Sequence, residues 1–522
     1  MLVAGSREDV RLAEVLGALS VVTDLARGHP PEEAMRACLL ATHVGKCLRL
    51  PTAELADVYY ATLLRFVGCT ATSSLLAQFA GDDVAVRRIG DLVDTTVPSE
   101  ALGFLWSLSQ SAGAARPFQM ARLLLGVKTV ATEGLAADCE VGARLALRFG
   151  FSASLEAALL HAFERWDGHG VPRGVRGDSI PLATRLATLG FAAIMFEAIG
   201  GRSAATEAVR RWSGRVIDPD LAQAFLSAPD EFLAAATPED NWEAVVACEP
   251  GPPRLISEAT LEAVAAGFGD MADLKSAFLV GHSQGVARLA EGAAREMNLP
   301  EEQVGQLRRA ALLHDIGRVG VSTAVWDKTG RLSRAEWENV RLHPYLAERI
   351  LSRSPALRGA GRCASRHHER LGGGGYPAGL DGPALDLPSR ILAAADVYHA
   401  LREDRPHRGR RSSTEATTIL QDMSSTTGGG LDRSACNGVL AAAGERAPLR
   451  PRNTAGLTER ELEVLQHLAR GVTEREIAER LTISKATAHT HIVHIYEKAG
   501  VSTRAGVTMF ALENQLLFAK IN

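Results

Sequence analysis

Histidine and aspartate side chains are set into apolar helical segments between residues 310 and 396. Residues 310–313 are good helix formers, the pair His314-Asp315 follows them, and Gly317 can end the helix. Burying ionisable side chains is costly unless they are paired, and divalent cations of borderline softness suit imidazole and carboxylate groups. The sequence therefore predicts a helical bundle that surrounds a metal site.

The succession of motifs in this stretch supports the prediction. A lone His-Asp pair would indicate surface polarity, but HD at 314–315 is followed by HP at 343–344, HHE at 367–369 and an aspartate in AAADVY at 396. Neighbouring helical residues point about 100° apart, so His314 and Asp315 can share one ion or divide between two.

Residues 256–445 resemble the HD-GYP family, a branch of the HD metal-dependent phosphohydrolases whose characterised members cleave c-di-GMP. The segment HDIGRVGV…DKTGRLSRAEWENVRLHP follows the family pattern HDIGK…K.G.L…E…HP, and HHERLGGGGYPAGLDG follows HHE..DG.GYP.GL.G. The resemblance implies a metal-dependent cyclic dinucleotide phosphodiesterase. It also implies two divalent metal ions, iron or manganese, a pair that creates a nucleophile at neutral pH.

The resemblance also assigns roles to individual residues. The implied metal ligands are His282, His314, Asp315, His343, His367, His368 and Asp396. The implied catalytic residues are His314, Asp315 and Arg318, and the substrate would contact Tyr376, Pro377, Arg405 and Arg408. DRPHR, which holds the last two, resembles the family's DRPYR, and guanidinium groups suit phosphate oxygens. The alternative interpretation of this basic run is a solvated loop.

Three positions depart from the family pattern. Arg318 replaces the lysine of HDIGK, Gly372 replaces the aspartate before GYP, and Phe278 stands where members with a third metal have glutamate. Two metals are therefore expected instead of three. Two further alternatives stay open: a transcription factor that senses a nucleotide or metal without turnover, and a phosphohydrolase for a different nucleotide.

The first half of the chain repeats the second at domain scale. Leu50-Pro51 precedes ATLLRFVGC as Leu299-Pro300 precedes AALLHDIGR, and FERWDGHGVPRG parallels HERLGGGGYPAG. The first copy lacks the ligand residues and has other side chains at their places: Glu33, Arg65, Phe66, Ala162 and Phe163. We therefore expect residues 1–245 to form a degenerate, regulatory HD-GYP-like domain. A proline-rich linker at 249–253 and the domain at 255–445 follow, and the longer spacing in the first copy predicts extra helices around 75–135.

Residues 454–522 have the pattern of a small helical DNA-binding domain. Thr458 with Glu461 and Thr473 with Glu476 have capping-box spacing, Ser484 can cap a third helix, and the segment from Glu476 to Lys498 reads as a helix-turn-helix. LTERELEVL, REIAERLTIS and TAHTHIVHIYEKAGV resemble the LuxR-type domain. Its second motif helix enters the major groove, which implies contacts from Lys485, Thr487, His489, Thr490, His494 and Lys498.

Such regulators bind paired half-sites, so a homodimer on double-stranded DNA is expected, with residues 504–517 and the degenerate domain as interfaces. A short linker at 445–456, with Pro448 and Pro451, would transmit orientation between the domains.

Composition limits the remaining possibilities. The seven cysteines form no CxxC pair, and the net charge of −4 provides no overall attraction to DNA, so DNA contact must come from a local surface. The most apolar run, residues 186–196, is too short to span a membrane. We expect a cytoplasmic, all-α protein: two tandem HD-domain-like bundles followed by a four-helix LuxR-type domain.

Overall fold

The structure is a computed structural model that describes residues 10–110, 116–425, 430–445 and 454–518. Within these ranges the regular structure is helical except for one antiparallel pair of short strands, β1 (Val10–Arg11) and β2 (Leu255–Ile256). The expected all-α class is confirmed. Residues 446–453, most of the second expected linker, lie outside the described ranges.

The N-terminal part consists of twelve helices within the described residues. They are α1 (Leu12–Arg27), α2 (Glu33–Cys47), α3 (Thr52–Leu64), α4 (Ser73–Ala80), α5 (Asp83–Gly90), α6 (Pro98–Ser109), α7 (Arg116–Arg148), α8 (Ala153–Leu160), α9 (Leu182–Trp212), α10 (Pro219–Ser227), α11 (Pro229–Ala235) and α12 (Asn241–Cys248). Helix α9 is long and apolar enough to cross a membrane by composition, but 61% of its most apolar window is buried in the protein. Its backbone is also non-helical at Gly200 and Gly201, so the apolar helix is interrupted by a kink.

The second part contains ten helices within the described residues. They are α13 (Glu258–Asp273), α14 (His282–Glu296), α15 (Glu301–Leu313), α16 (Thr323–Trp326), α17 (Arg334–Arg341), α18 (His343–Leu351), α19 (Pro355–Ala364), α20 (Leu387–Leu401), α21 (Ser413–Ser425) and α22 (Arg433–Glu445). The C-terminal part is α23 (Glu459–Ala469), α24 (Glu474–Arg480), α25 (Lys485–Ala499) and α26 (Arg504–Glu513).

The internal repeat is visible in backbone conformation. The turn between α2 and α3 has Arg49 at φ 57°, and the turn between α14 and α15 has Asn298 at φ 56°. Glu32 and Gly281, which precede α2 and α14, are both left-handed. Matching backbone geometry at matching positions agrees with the predicted internal repeat.

The glycine loop that follows the paired-histidine position is also shared. A Cβ on Gly170 would lie 2.5 Å from the Cα of Glu164, and a Cβ on Gly375 would lie 2.4 Å from the Cα of Glu369. The carboxylate of Glu164 accepts the backbone N–H of Arg173 at 2.7 Å, as that of Glu369 accepts the N–H of Ala378 at 2.8 Å. The first copy therefore keeps the loop although it has lost the histidines.

Buried polar contacts join the two copies. Lys275 Nζ lies 2.8 Å from Asp83 Oδ2, and both side chains are buried. Thr70 Oγ1 donates to the Met271 carbonyl at 2.6 Å. In the first expected linker, Glu249 accepts from Tyr60 Oη at 2.6 Å and from the Arg254 N–H at 3.0 Å. The two copies consequently share one core.

Candidate metal centre and DNA-reading helix

Five helices of the second copy bring the predicted ligand residues together. His282 begins α14, His314 and Asp315 follow α15, His343 begins α18, His367 and His368 follow α19, and Asp396 lies within α20. All seven are buried except His368, which is partly exposed. Residues separated by more than a hundred positions thus converge at one end of the bundle.

Asp315 lies between two groups of histidines. Its Oδ2 is 3.2 Å from His314 Nε2 and 3.6 Å from His282 Nε2, whereas its Oδ1 is 3.3 Å from His343 Nε2 and 3.6 Å from His367 Nε2. Asp396 Oδ1 lies 3.2 Å from His282 Nε2. One carboxylate is therefore placed to serve two adjacent cation positions.

Backbone contacts orient three of the imidazole rings. The Nδ1 atoms of His314, His343 and His367 lie 2.8, 2.6 and 2.6 Å from the carbonyl oxygens three residues earlier. Donation of Nδ1–H to these carbonyls leaves each Nε2 lone pair facing the centre. Each of these histidines stands at or next to a helix end, where the last carbonyls lack part of their regular helical hydrogen bonding.

The electrostatics of the centre fit divalent cations. Burial opposes charge on Asp315, but Arg318 and His314 hold its pKa well below its usual range. Burial lowers the pKa of His367 to about 3, so that imidazole is neutral and able to ligate. Within the described residues, His282 Nε2, His314 Nε2 and both oxygens of Asp315 are buried without a hydrogen-bond partner, although Oδ2 forms an ion pair with Arg318. Such atoms are costly in a protein interior unless a cation satisfies them.

The other predicted site residues surround this centre. Arg318 Nε lies 2.8 Å from Asp315 Oδ2, and its guanidinium stands 4.7 Å over the Trp326 ring. The Tyr376 ring stacks on His368 with centroids 4.6 Å apart, and Pro377 follows it in the glycine loop.

The two arginines predicted to bind phosphate are differently engaged. Arg405 Nη2 donates to Glu403 Oε2 at 2.7 Å, beside His282. Arg408 donates to the carbonyl of Ala400 at 2.6 Å at the end of α20. Arg405 therefore lies with Glu403 on the Nδ1 side of His282, whereas Arg408 closes a helix end.

Three residues near the centre were missed by sequence reasoning. Glu369 accepts the backbone N–H groups of Ala378, Gly379 and Leu380 and so holds the glycine loop. His399 and Glu403 lie behind His282. Glu369 stands within the HHE motif, and His399 and Glu403 have the i,i+4 spacing of a helical pair, which are the signals that could have found them.

The equivalent place in the first copy is filled by other side chains. The buried guanidinium of Arg27 lies 3.6 Å over the Phe66 ring and pairs with Glu33 Oε1 at 3.0 Å. Gly68 and Gly317 hold equivalent positions in the repeat. A Cβ on Gly68 would lie 2.0 Å from the carbonyl oxygen of Asp138, and a Cβ on Gly317 would lie 2.1 Å from the carbonyl oxygen of His343. Asp138 therefore takes the place of His343. Phenyl rings and guanidinium groups offer no metal ligands, and the carboxylates of Glu33 and Asp138 pair with Arg27 and Arg87.

The DNA-binding part has the predicted local structure. Capping boxes at Thr458–Glu461 and Thr473–Glu476 are both present, and Gly500 ends α25 in the left-handed conformation. The predicted DNA contacts all lie exposed on α25: Lys485, Thr487, His489, Thr490, His494 and Lys498. Three of them already have carboxylate partners. Lys498 Nζ lies 2.7 Å from Glu461 Oε2, His494 Nδ1 lies 3.7 Å from Glu461 Oε1, and His489 Nδ1 lies 3.2 Å from Glu474 Oε2.

Helix α26 packs against α7 of the first copy. Glu140 accepts hydrogen bonds from the backbone N–H groups of Ser502 and Thr503 at 2.6 and 3.0 Å, and Arg144 pairs with Glu513. Two residues one turn apart on α7 thus hold both ends of α26. In this structure the expected dimer helix is covered by the chain's own first copy.

Comparison with known proteins agrees with this architecture. The HD domain family matches residues 268–428, and the bacterial regulatory proteins of the luxR family match residues 455–511. The 3'3'-cGAMP-specific phosphodiesterase 3 of Vibrio cholerae is 32% identical over 417 residues, which is 79% of this chain and 90% of that protein. A cyclic di-GMP phosphodiesterase of Thermotoga maritima is 35% identical over 145 residues, or 27% of this chain and 39% of that protein.

A crystal structure of a cyclic GMP-AMP-specific phosphodiesterase of V. cholerae aligns with a TM-score of 0.58 and 26% identity, covering 84% of this chain and 99% of that one. Fold and site together define a helical HD-domain hydrolase of the metal-dependent class. The chain belongs to the HD-GYP phosphodiesterase family and carries a LuxR-type DNA-binding domain.

Proposed function

We propose that the chain hydrolyses a cyclic dinucleotide at a two-metal centre and controls transcription through its LuxR-type domain. The proposed ligands are the seven converging residues of the second copy. The observation that carries this proposal is Asp315, whose two buried oxygens each face a separate group of histidine Nε2 atoms. We take residues 1–245 as the degenerate regulatory domain, 255–445 as the hydrolase and 454–522 as the DNA-binding domain.

The site residues would have different roles in the reaction. When bound, two ions of iron or manganese supply Lewis acidity that activates water and neutralises charge on the phosphodiester. Arg318 would hold Asp315 in place, and Tyr376 with Pro377 would form the wall that the nucleotide faces. Arg405, which lies beside Glu403 and His282, would contact a phosphate, whereas Arg408 would support the loop.

The substrate class rests on the relatives. Because the V. cholerae protein named for 3'3'-cGAMP matches most of the chain and the T. maritima protein is named for cyclic di-GMP, both dinucleotides are candidates. The test is to incubate metal-loaded protein with each one and to follow the linear product by chromatography. A variant with both His367→Ala and His368→Ala is the matched control, and product formed equally by both proteins would contradict the proposal.

One observation favours a second candidate, a sensor that binds the nucleotide without cleaving it. Arg318 Nε lies 2.8 Å from the same Asp315 oxygen that faces His282 and His314, so the guanidinium competes with a cation for that carboxylate. Tight nucleotide binding by the wild type without product would support this alternative. We place the protein in the cytoplasm under either alternative, since its proposed partners are DNA and a nucleotide.

The contact between α7 and α26 suggests how the two activities are coupled. If the closed arrangement keeps α26 away from a second copy, release of Glu140 and Arg144 would be needed for dimerisation on DNA. Nucleotide occupancy would then change DNA affinity, and linkage makes the effect mutual. Operator affinity measured with and without the dinucleotide, in the wild type and the His367→Ala/His368→Ala variant, tests this coupling.

A further inference from the structure

His282 is held differently from the other histidines of the metal centre. His314, His343 and His367 direct Nδ1 to a backbone carbonyl three residues earlier. His282 is the first residue of α14, and the carbonyl three residues before it, that of Leu279, accepts the backbone N–H of His282 at 2.8 Å. Its Nδ1 instead lies 2.9 Å from Glu403 Oε2. A side-chain carboxylate therefore takes the role that backbone carbonyls have elsewhere in the centre.

One chain segment supplies partners to both nitrogens of this ring. Asp396, within α20, lies 3.2 Å from His282 Nε2, and Glu403, just beyond the end of α20, lies on the Nδ1 side. The imidazole is thus clamped between two carboxylates of the same helical segment. Movement of that segment would displace both sides of the ring together.

Glu403 is itself fixed by two further residues. Its Oε1 lies 3.2 Å from His399 Nδ1, and its Oε2 accepts from Arg405 Nη2 at 2.7 Å. The His399 ring lies directly against α14, because a Cβ on Gly285 would stand 1.8 Å from His399 Nε2. Glycine at 285 is therefore what allows His399 to approach and brace Glu403.

We propose that Glu403 is a positioning residue, which holds the ring of His282 so that Nε2 faces the metal centre, and that His399 and Gly285 keep Glu403 in place. The inference rests on the proposed function, because His282 is treated as a ligand. Outer carboxylates of this kind fix the tautomer and orientation of a metal-bound histidine, and their loss typically weakens metal binding by about 10- to 100-fold.

The test is a Mn²⁺ titration of full-length protein by calorimetry, with electron paramagnetic resonance as a second readout of the bound ion. Glu403→Ala should weaken one of the two Mn²⁺ equivalents by about 10- to 100-fold and leave the other unchanged. Glu403→Gln keeps an oxygen that can accept from Nδ1 and should retain more affinity than the alanine variant. Gly285→Ala should act in the same direction as Glu403→Ala, because it displaces His399.

Asp404→Ala is the matched control, since the side chain of this exposed neighbour accepts the backbone N–H of Arg410 at 2.9 Å and is not directed at His282. Thermal unfolding of each metal-free variant establishes that it is folded. Unchanged affinities in Glu403→Ala would overturn the inference alone. Loss of a complete third equivalent would also overturn it, because His282, His399 and Glu403 would then be ligands of their own ion. A wild type that binds no Mn²⁺ would overturn the proposed function and the inference together.

Discussion

Replacing Asp315 by asparagine should weaken the binding of both metal ions, whereas replacing a single histidine should weaken mainly one. The two oxygens of Asp315 lie 3.2 to 3.6 Å from four histidine Nε2 atoms, two on each side. Asparagine preserves the shape of the side chain but removes the negative charge that both cation positions share. His368→Ala should instead weaken the ion on the side of His343, because His343, His367 and His368 form one group of possible ligands.

The size of the effect follows from the position of Asp315. Loss of an outer residue that supports a metal ligand typically lowers metal affinity by about 10- to 100-fold. Loss of a ligand that two ions share should lower the affinity for each ion by at least about 100-fold. A factor of 100 is about 2.7 kcal/mol. Calorimetric titration with Mn²⁺ should therefore show two weakened equivalents in Asp315→Asn and one in His368→Ala.

The first copy provides a control for this experiment. Arg65→Ala changes the residue that stands at the place of His314 and should leave both Mn²⁺ affinities unaltered. Two Mn²⁺ equivalents with wild-type affinity in Asp315→Asn would refute the assignment of a shared carboxylate. A loss of only one equivalent would place Asp315 on a single ion.

Further predictions concern DNA binding, the junction between the copies and the closed arrangement. Lys485→Ala should reduce the slope of log affinity for DNA against log salt concentration by about one. Lys498→Ala should reduce this slope by less, because the ammonium of Lys498 already pairs with Glu461. Equal slopes for the wild type and Lys485→Ala would count against a phosphate contact. Lys275→Ala removes the cationic partner of buried Asp83 and should lower the free energy of unfolding, measured with urea, by about 3 to 5 kcal/mol. The double variant Lys275→Ala/Asp83→Leu should recover much of this free energy. Glu140→Ala should release α26, which should favour dimerisation and raise operator affinity by about 5- to 150-fold in a gel-shift titration. An unchanged operator affinity together with an unchanged molecular mass in solution would show that the contact does not restrain the domain.

Local patterns made much of this architecture predictable. Capping boxes and helix-ending glycines are short-range signals, so the LuxR-type helices could be placed from the sequence. The residues around Asp315 were predicted through the resemblance of their motifs to the HD-GYP pattern. The repeat was readable because Leu-Pro and glycine-loop motifs recur at matching places. Backbone conformations at Arg49 and Asn298 agree with that reading.

The contacts that the sequence did not reveal are long-range. Glu403 supports a histidine more than a hundred positions earlier, and a charged residue at a helix end looks like any solvated one. The packing of α26 on Glu140 depends on how two separate domains meet, which no periodicity encodes. The sequence also assigned Arg405 and Arg408 the same predicted role, whereas in the structure Arg405 pairs with Glu403 beside His282 and Arg408 closes α20.

The most direct test of the central claim is the reaction itself. Full-length protein loaded with Mn²⁺ should convert 3'3'-cGAMP or c-di-GMP to a linear dinucleotide, and the His367→Ala/His368→Ala variant should not. Nucleotide binding by the wild type without any linear product, in the presence of two bound metal ions, would contradict the account.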